Sequence, residues 1–140
     1  MTSNDNATIY ALGDRGQTID GSANDVRGRE VKDTGGNSIG KVAELLLDDG
    51  ERKIRFMLVE HGGFLGFGDT KTLIPVEAIT KITEGDVFID SSRDRVAAAP
   101  VYAPDLIDDR PYYSSIYNHY GYPPYWGAGY ASSNYGTRLV

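Results

Sequence analysis

The run Ile54-Arg55-Phe56-Met57-Leu58-Val59 constrains the fold more than any other stretch of the chain. Ile54, Phe56 and Leu58 point to one side of an extended strand, and Met57 and Val59 point to the other. A strand that is apolar on both faces must be covered on both, which suits a closed or strongly rolled sheet. Its partner lies upstream, where Ile39, Val42, Leu45, Leu46 and Leu47 lead into the turn Asp48-Asp49-Gly50. Together they predict a long hairpin over residues 38–61. Strict alternation breaks near Gly40, because Ile39 and Val42 stand three apart, and a bulge there restores the register. No other window carries this density of apolar side chains, so the core nucleates here.

Shorter elements flank the hairpin. Residues 29–33 suit a first strand, followed by turn chemistry in Thr34-Gly35-Gly36-Asn37. After a loop over 62–69, Lys71-Thr72-Leu73-Ile74 reads as a strand stopped by Pro75, which cannot donate to a ladder. Val76-Glu77-Ala78 reads as a tight turn or 3₁₀ piece. Residues 79–83 and 87–89 predict a second hairpin around Glu84-Gly85-Asp86, with a left-handed conformation expected at Gly85. Ser91 or Ser92 caps a short helix over 93–98, which Pro100 ends. The expected fold is all-β: a small rolled β-barrel with one short C-terminal helix and flexible ends.

The ends differ from the middle in composition. A chain of 140 residues is a prior for one domain. Residues 1–24 are small and polar, and Ile9-Tyr10-Ala11-Leu12 is their only apolar cluster. So few apolar groups do not offset an ordering entropy of ~1–2 kcal/mol per residue, so a flexible leader is expected in preference to a docked strand. The folded domain is assigned to 25–102. From Pro111 to Val140 there is no acid and one base, Arg138, while Tyr recurs among Gly, Ser, Asn and Pro. With no aliphatic runs, 103–140 is expected to be a low-complexity tail. A solvating extension, an associating segment and a docked strand all remain open for it.

Charge and composition exclude several functions. The net charge of −6 comes from 20 acids against 14 bases and disfavours a nucleic-acid partner, which needs clustered Lys and Arg. Cysteine is absent, which excludes disulfides, thiolate metal sites and a Cys nucleophile, and fits a cytoplasmic protein. No run approaches the roughly 18 apolar residues of a membrane span. The first residues lack the basic start and apolar core of a signal peptide.

Candidate chemistry is sparse. Gly62-Gly63-Phe64-Leu65-Gly66-Phe67-Gly68 invites comparison with a phosphate loop, but Asp69-Thr70-Lys71 leads into a strand rather than a helix N-terminus. Phe64, Leu65 and Phe67 instead fold back over the barrel end or meet a partner. His61 and His119 stand far apart, and a metal site needs three or four convergent ligands. Asp48-Asp49-Gly50-Glu51 lacks the alternating acids of a calcium loop. Glu77, Glu84 and Asp86 lie in turns, where solvation keeps carboxylates ordinary. Ser91 and Ser92 lack a nucleophile-elbow pattern. No enzymatic activity, cofactor or metal is therefore expected. Tyrosine offers a large amphipathic ring at low side-chain entropy. The expected partner contacts are thus Phe64, Leu65, Phe67, Tyr112, Tyr113, Tyr117, Tyr120, Tyr122 and Tyr125.

One resemblance joins these pieces. Arg29-Glu30-Val31, Ser38-Ile39-Gly40-Lys41-Val42, Leu45-Leu46-Leu47-Asp48, Phe56-Met57-Leu58-Val59, Gly62-Gly63-Phe64-Leu65-Gly66, Leu73-Ile74-Pro75 and Ala98-Ala99-Pro100-Val101-Tyr102 together resemble the PRC-barrel domain family. The likeness runs over roughly half the chain, about residues 27–102. The family is named for the cytoplasmic part of the photosynthetic reaction-centre H subunit. It also occurs in a ribosome maturation factor and as short stand-alone bacterial and archaeal proteins. The resemblance implies a small rolled barrel that docks macromolecules rather than catalysing. With no membrane helix and no RNA-interacting domain, this chain is most similar to the stand-alone class. The expected function is a non-catalytic interaction module, docking a protein partner through the barrel edge and glycine-rich loop, with homodimerisation an open option. The alternatives are a small-molecule-binding or electron-transfer accessory protein and, third, an RNA-processing factor.

Overall fold

The computed structural model describes residues 9–11, 25–48, 53–60, 71–100, 102 and 110–126. The hairpin is there. β3 (Ser38–Asp48) and β4 (Ile54–Glu60) pair antiparallel, with Val42 opposite Val59 and Leu46 opposite Phe56. Every β4 residue from Ile54 to Val59 is buried, as a strand apolar on both faces requires. β2 (Glu30–Lys32) flanks β3, β5 (Lys71–Pro75) flanks β4, and Val76–Ala78 is the 3₁₀ turn the sequence predicts. β6 (Ile79–Ile82) and β7 (Asp86–Ile89) form the second hairpin. The sheet order is β5-β4-β3-β2-β7-β6, with β2 and β7 parallel.

This order forces the sheet to roll. Laid flat, six strands at about 4.8 Å spacing hold the outer two roughly 24 Å apart. Yet β5 and β6 are joined by the 3₁₀ turn alone, and the step from Pro75 to Ile79 spans at most about 14 Å of extended chain. The two end strands must therefore curl toward each other. They do not pair, so of the closed or strongly rolled sheet expected, the chain forms the rolled, open one.

Register shifts supply the curvature. Ile39 is the extra residue of β3 against β2, and Ala43 is the extra residue against β4. These two bulges bracket Gly40, where the sequence predicts one. Gly40 itself lies so close to the Glu60 carbonyl that a Cβ there would collide with it. The turn before β7 departs from expectation, because Gly85 does not take a positive φ. Thr83 shapes it instead. Its N–H donates to the Asp86 carbonyl (2.9 Å), and its Oγ1 accepts from the Asp86 N–H (3.1 Å).

Asp33 fastens one corner. Its buried carboxylate accepts from the N–H groups of Gly35 (2.9 Å), Asn37 (2.8 Å) and Arg93 (3.1 Å), tying the glycine turn to α1 (Arg93–Ala97). Burial opposes its charge, but these donors prevail and hold its pKa below the ordinary value. Ser92 caps α1 by accepting from the Arg95 N–H (3.1 Å).

Two elements depart from the expected flexible ends. Residues 9–11, placed by sequence in a flexible leader, form β1 (Ile9–Ala11), which pairs antiparallel with the end of β3 and buries Ile9. The main-chain ladder to Leu46–Asp48 supplies what side chains alone do not. A second helix, α2 (Arg110–Tyr120), forms within the stretch expected to be a low-complexity tail. Its Tyr113, Ile116, Tyr117 and Tyr120 join the same core cluster as the strands. Among the described residues no helix is long and apolar enough to cross a membrane.

Candidate interaction surface

α2 exists because its apolar groups recur at helical spacing. Tyr113, Ile116, Tyr117 and Tyr120 sit at i, i+3, i+4 and i+7 and form one buried stripe, while Pro111, Ser115 and Asn118 face outward. Pro111 lies in the first turn, where its missing N–H has no intrahelical acceptor to lose. Gly121, at φ 85°, ends the helix: its N–H donates to the Asn118 carbonyl (3.1 Å) and that of Tyr122 to the Tyr117 carbonyl (2.9 Å). This pairing is the Schellman arrangement, which needs a left-handed residue.

The stripe lands on Phe56. The Tyr113 ring stacks on it at 5.2 Å between centroids, and the Tyr117 ring lies tilted at 5.0 Å. Beside them is an ion pair within the core. β4 has one extra residue between the partners of Leu46 and Leu47, and that residue is Arg55. The bulge re-aims its side chain. Its Nε donates to Asp48 Oδ2 at 2.6 Å, with side chains only 4% and 5% exposed. Desolvating two such ions costs several kcal/mol each, so the pair persists only with good geometry and further contacts. Tyr125 provides one: the Arg55 guanidinium lies 4.2 Å from its ring centroid. Trp126 packs edge-on against Tyr125 (4.9 Å), and Arg110 lies 5.0 Å over the Trp126 ring.

Two polar contacts hold the far end of α2. His119 Nε2 donates to the Arg95 carbonyl (2.7 Å), and the Tyr122 hydroxyl donates to the Asp90 carboxylate. Burial, then the neighbouring Asp90 carboxylate, raises the pKa of the Tyr122 hydroxyl. Tyr120 is different: its hydroxyl is buried with no hydrogen-bond partner, and burial pushes its pKa well above the ordinary value.

The candidate contact residues therefore separate. Phe64, Leu65 and Phe67, with His61 and the rest of the glycine-rich loop, lie outside the described residues. Tyr113, Tyr117 and Tyr120 are buried in the core, since the helical stripe turns them inward. Tyr112, Tyr122 and Tyr125 are half-buried. The acids Glu77, Glu84 and Asp86 stay distributed between the 3₁₀ turn and the β6–β7 turn. Among the described residues no three His, Cys, Asp or Glu side chains converge on a metal position.

The PRC-barrel domain model matches residues 20–96, which takes in β2 to β7 and the start of α1. The chain belongs to the PRC-barrel domain family. Among curated proteins, none matches this chain. β1 and α2 lie outside the part of the chain that the PRC-barrel model covers, yet both pack onto its central hairpin.

The PRC-barrel sheet also presents an edge. β6 ends the strand order with β7 as its only strand neighbour among the described residues. Thr83 donates inward to Asp86, so by alternation the Ile82 N–H points away from β7. Thr80 and Lys81 are exposed, Ile79 and Ile82 half-buried. On the sheet face, Phe88 is half-exposed, with Lys81 Nζ 5.5 Å over its ring and Lys32 its cross-strand neighbour on β2. Sequence reasoning had anticipated an edge but not which strand supplies it. It missed the Arg55–Asp48 pair and α2 outright. For α2 the signals were present: the four-residue stripe, then glycine just past its end.

Proposed function

We propose that this PRC-barrel protein is a non-catalytic docking module that binds a protein partner by strand addition at β6, with the loop over 62–68 contributing to the contact. The observation that carries the reading is the edge of β6, unpaired among the described residues, whose main-chain groups offer a template for an extended segment. Lys81 on that edge fits a strand kept from indiscriminate pairing. The described titratable groups support a non-catalytic role because they serve the fold: Asp33 closes a turn, Asp48 pairs with Arg55, and Asp90 accepts from Tyr122.

The test is affinity purification of the full chain from its native cells beside an Ile82→Pro variant. Proline at 82 removes an outward N–H and leaves the inward ladder to β7 intact. A co-purifying protein that the variant loses, while its melting curve stays cooperative, supports edge docking. Equal capture by both forms overturns it. A co-purifying chromophore or small molecule in place of a protein favours the accessory-protein reading.

A further inference from the structure

The helix that covers Phe56 has several marks of a detachable element. Its 11 residues are rich in Tyr, Ser, Asn and His, all middling helix formers, so in isolation it would be marginal. It holds its shape by packing. That packing is imperfect, because the Tyr120 hydroxyl and the Arg110 Nε are buried without hydrogen-bond partners. An unsatisfied buried polar group opposes docking. His119 and Tyr122, both near the C-terminal end of the helix, tie it to α1 and to Asp90. The sheet beneath carries its own ladders and aliphatic core from β2 to β7, and the family match needs nothing beyond residue 96.

We propose that residues 110–126 form a lid that undocks as a unit from the folded sheet and uncovers a groove at Phe56 suited to a helix with aromatic side chains at i, i+4 and i+7. The spacing of the natural occupant defines that ligand: Tyr113, Tyr117 and Tyr120 fill the groove, and the rings of Tyr113 and Tyr117 pack on Phe56. Tyr125 leaves with the lid, so the open groove also presents the Arg55 guanidinium to an incoming ring. This is a different surface from the β6 edge, and either reading can fail without the other.

Native-state hydrogen exchange on the full chain, with a labelled peptide of residues 110–126 added in trans, tests the lid. Interior amides of α2 should exchange much faster than those of Phe56 to Val59 on β4. Combining His119→Ala with Tyr122→Phe removes these two fastenings, and α2 exchange should rise about ten-fold or more, with the β4 amides, which also require the sheet to open, remaining the slower set. Apparent affinity scales with the fraction of open molecules, so peptide binding should tighten by the same factor as exchange accelerates. A peptide with alanine in place of the first and second groove tyrosines should not bind. The proposal is overturned if α2 and β4 amides exchange together, or if the double variant opens the helix without gaining peptide affinity.

Discussion

The β3–β4 hairpin and α2 bury side chains in one core by different physics. β4 is enclosed by hydrogen-bonded neighbours on both sides and by apolar groups on both faces. Its main chain is satisfied by the sheet itself. α2 satisfies its main chain alone and meets the sheet through tyrosines, whose hydroxyls need either a partner or a way to water. The hairpin is thereby committed to the fold, whereas the helix is a covering whose attachment is local. Where the two meet, at Phe56 and Arg55, each depends on the other.

The largest effect should come from breaking that seam electrostatically. Arg55→Ala strands the buried Asp48 carboxylate and removes the cation from the Tyr125 ring. Loss of one partner of a buried pair costs about 3–5 kcal/mol, and the ring contact up to ~2 more. Urea unfolding should show it. Replacing both members together, Asp48→Leu with Arg55→Met, should recover most of the loss, since an apolar pair of similar volume carries no desolvation penalty. Failure to recover would place the effect in the bulge rather than the charges.

Phe56→Ala should come next, at about 3–5 kcal/mol. It empties the position on which Tyr113 and Tyr117 stack, so it weakens both regions at once. If the comparison is sound, the near-ultraviolet signal of Tyr and Trp126 should fall along with the unfolding midpoint. A drop in midpoint with an unchanged aromatic signal would mean that α2 does not depend on this ring.

What the sequence disclosed follows the same division. Alternation and turn residues located the hairpin, the Pro75 stop, the 3₁₀ turn and the Ser92 cap, because each is set by contacts within a few residues. The strand order was less legible. The parallel contact of β2 with β7 joins residues more than fifty positions apart, with no local signature. Arg55 is one charge within an apolar run; only the β4 bulge and the ion pair with Asp48 make it a core residue. α2 carries no aliphatic run, because here tyrosine forms the buried stripe at helical spacing. Of the candidate contacts, the inward tyrosines Tyr113, Tyr117 and Tyr120 could have been separated from Tyr112, Tyr122 and Tyr125 by that period alone.

A smaller effect comes from Asp33, which joins the turn before β3 to α1. Asp33→Ala leaves three N–H groups without their acceptor and should cost about 1–3 kcal/mol at neutral pH. Because the folded-state pKa lies below the ordinary value, the carboxylate's contribution is complete above that value and is lost as pH falls through the folded one. The parent should therefore lose stability on acidification from about pH 5 to about pH 2, and the variant should lose less over the same range. Equal slopes in the two proteins would remove Asp33 from the account of acid sensitivity.

The smallest change touches only the helix. Gly121 holds φ at 85° with nothing within reach of an added Cβ, so Gly121→Ala introduces backbone strain and no collision. A left-handed alanine costs about 1–2 kcal/mol. That cost falls on the closed, Schellman-ended helix and not on the β3–β4 ladder. If α2 and the hairpin were a single cooperative unit, the penalty would lower the global unfolding free energy by its full amount and change every amide alike. If α2 opens separately, the α2 amides should exchange faster by about five- to thirty-fold and stay well ahead of the β4 amides, which still require the sheet to open. Gly40→Ala separates the cases: the collision with the Glu60 carbonyl lies inside the ladder and persists when only the helix opens, so a separately opening α2 should keep its exchange rate while β4 exchange rises, whereas a single unit would speed both. The pair of glycine variants thus distinguishes a helix that covers the core from a strand that is part of it.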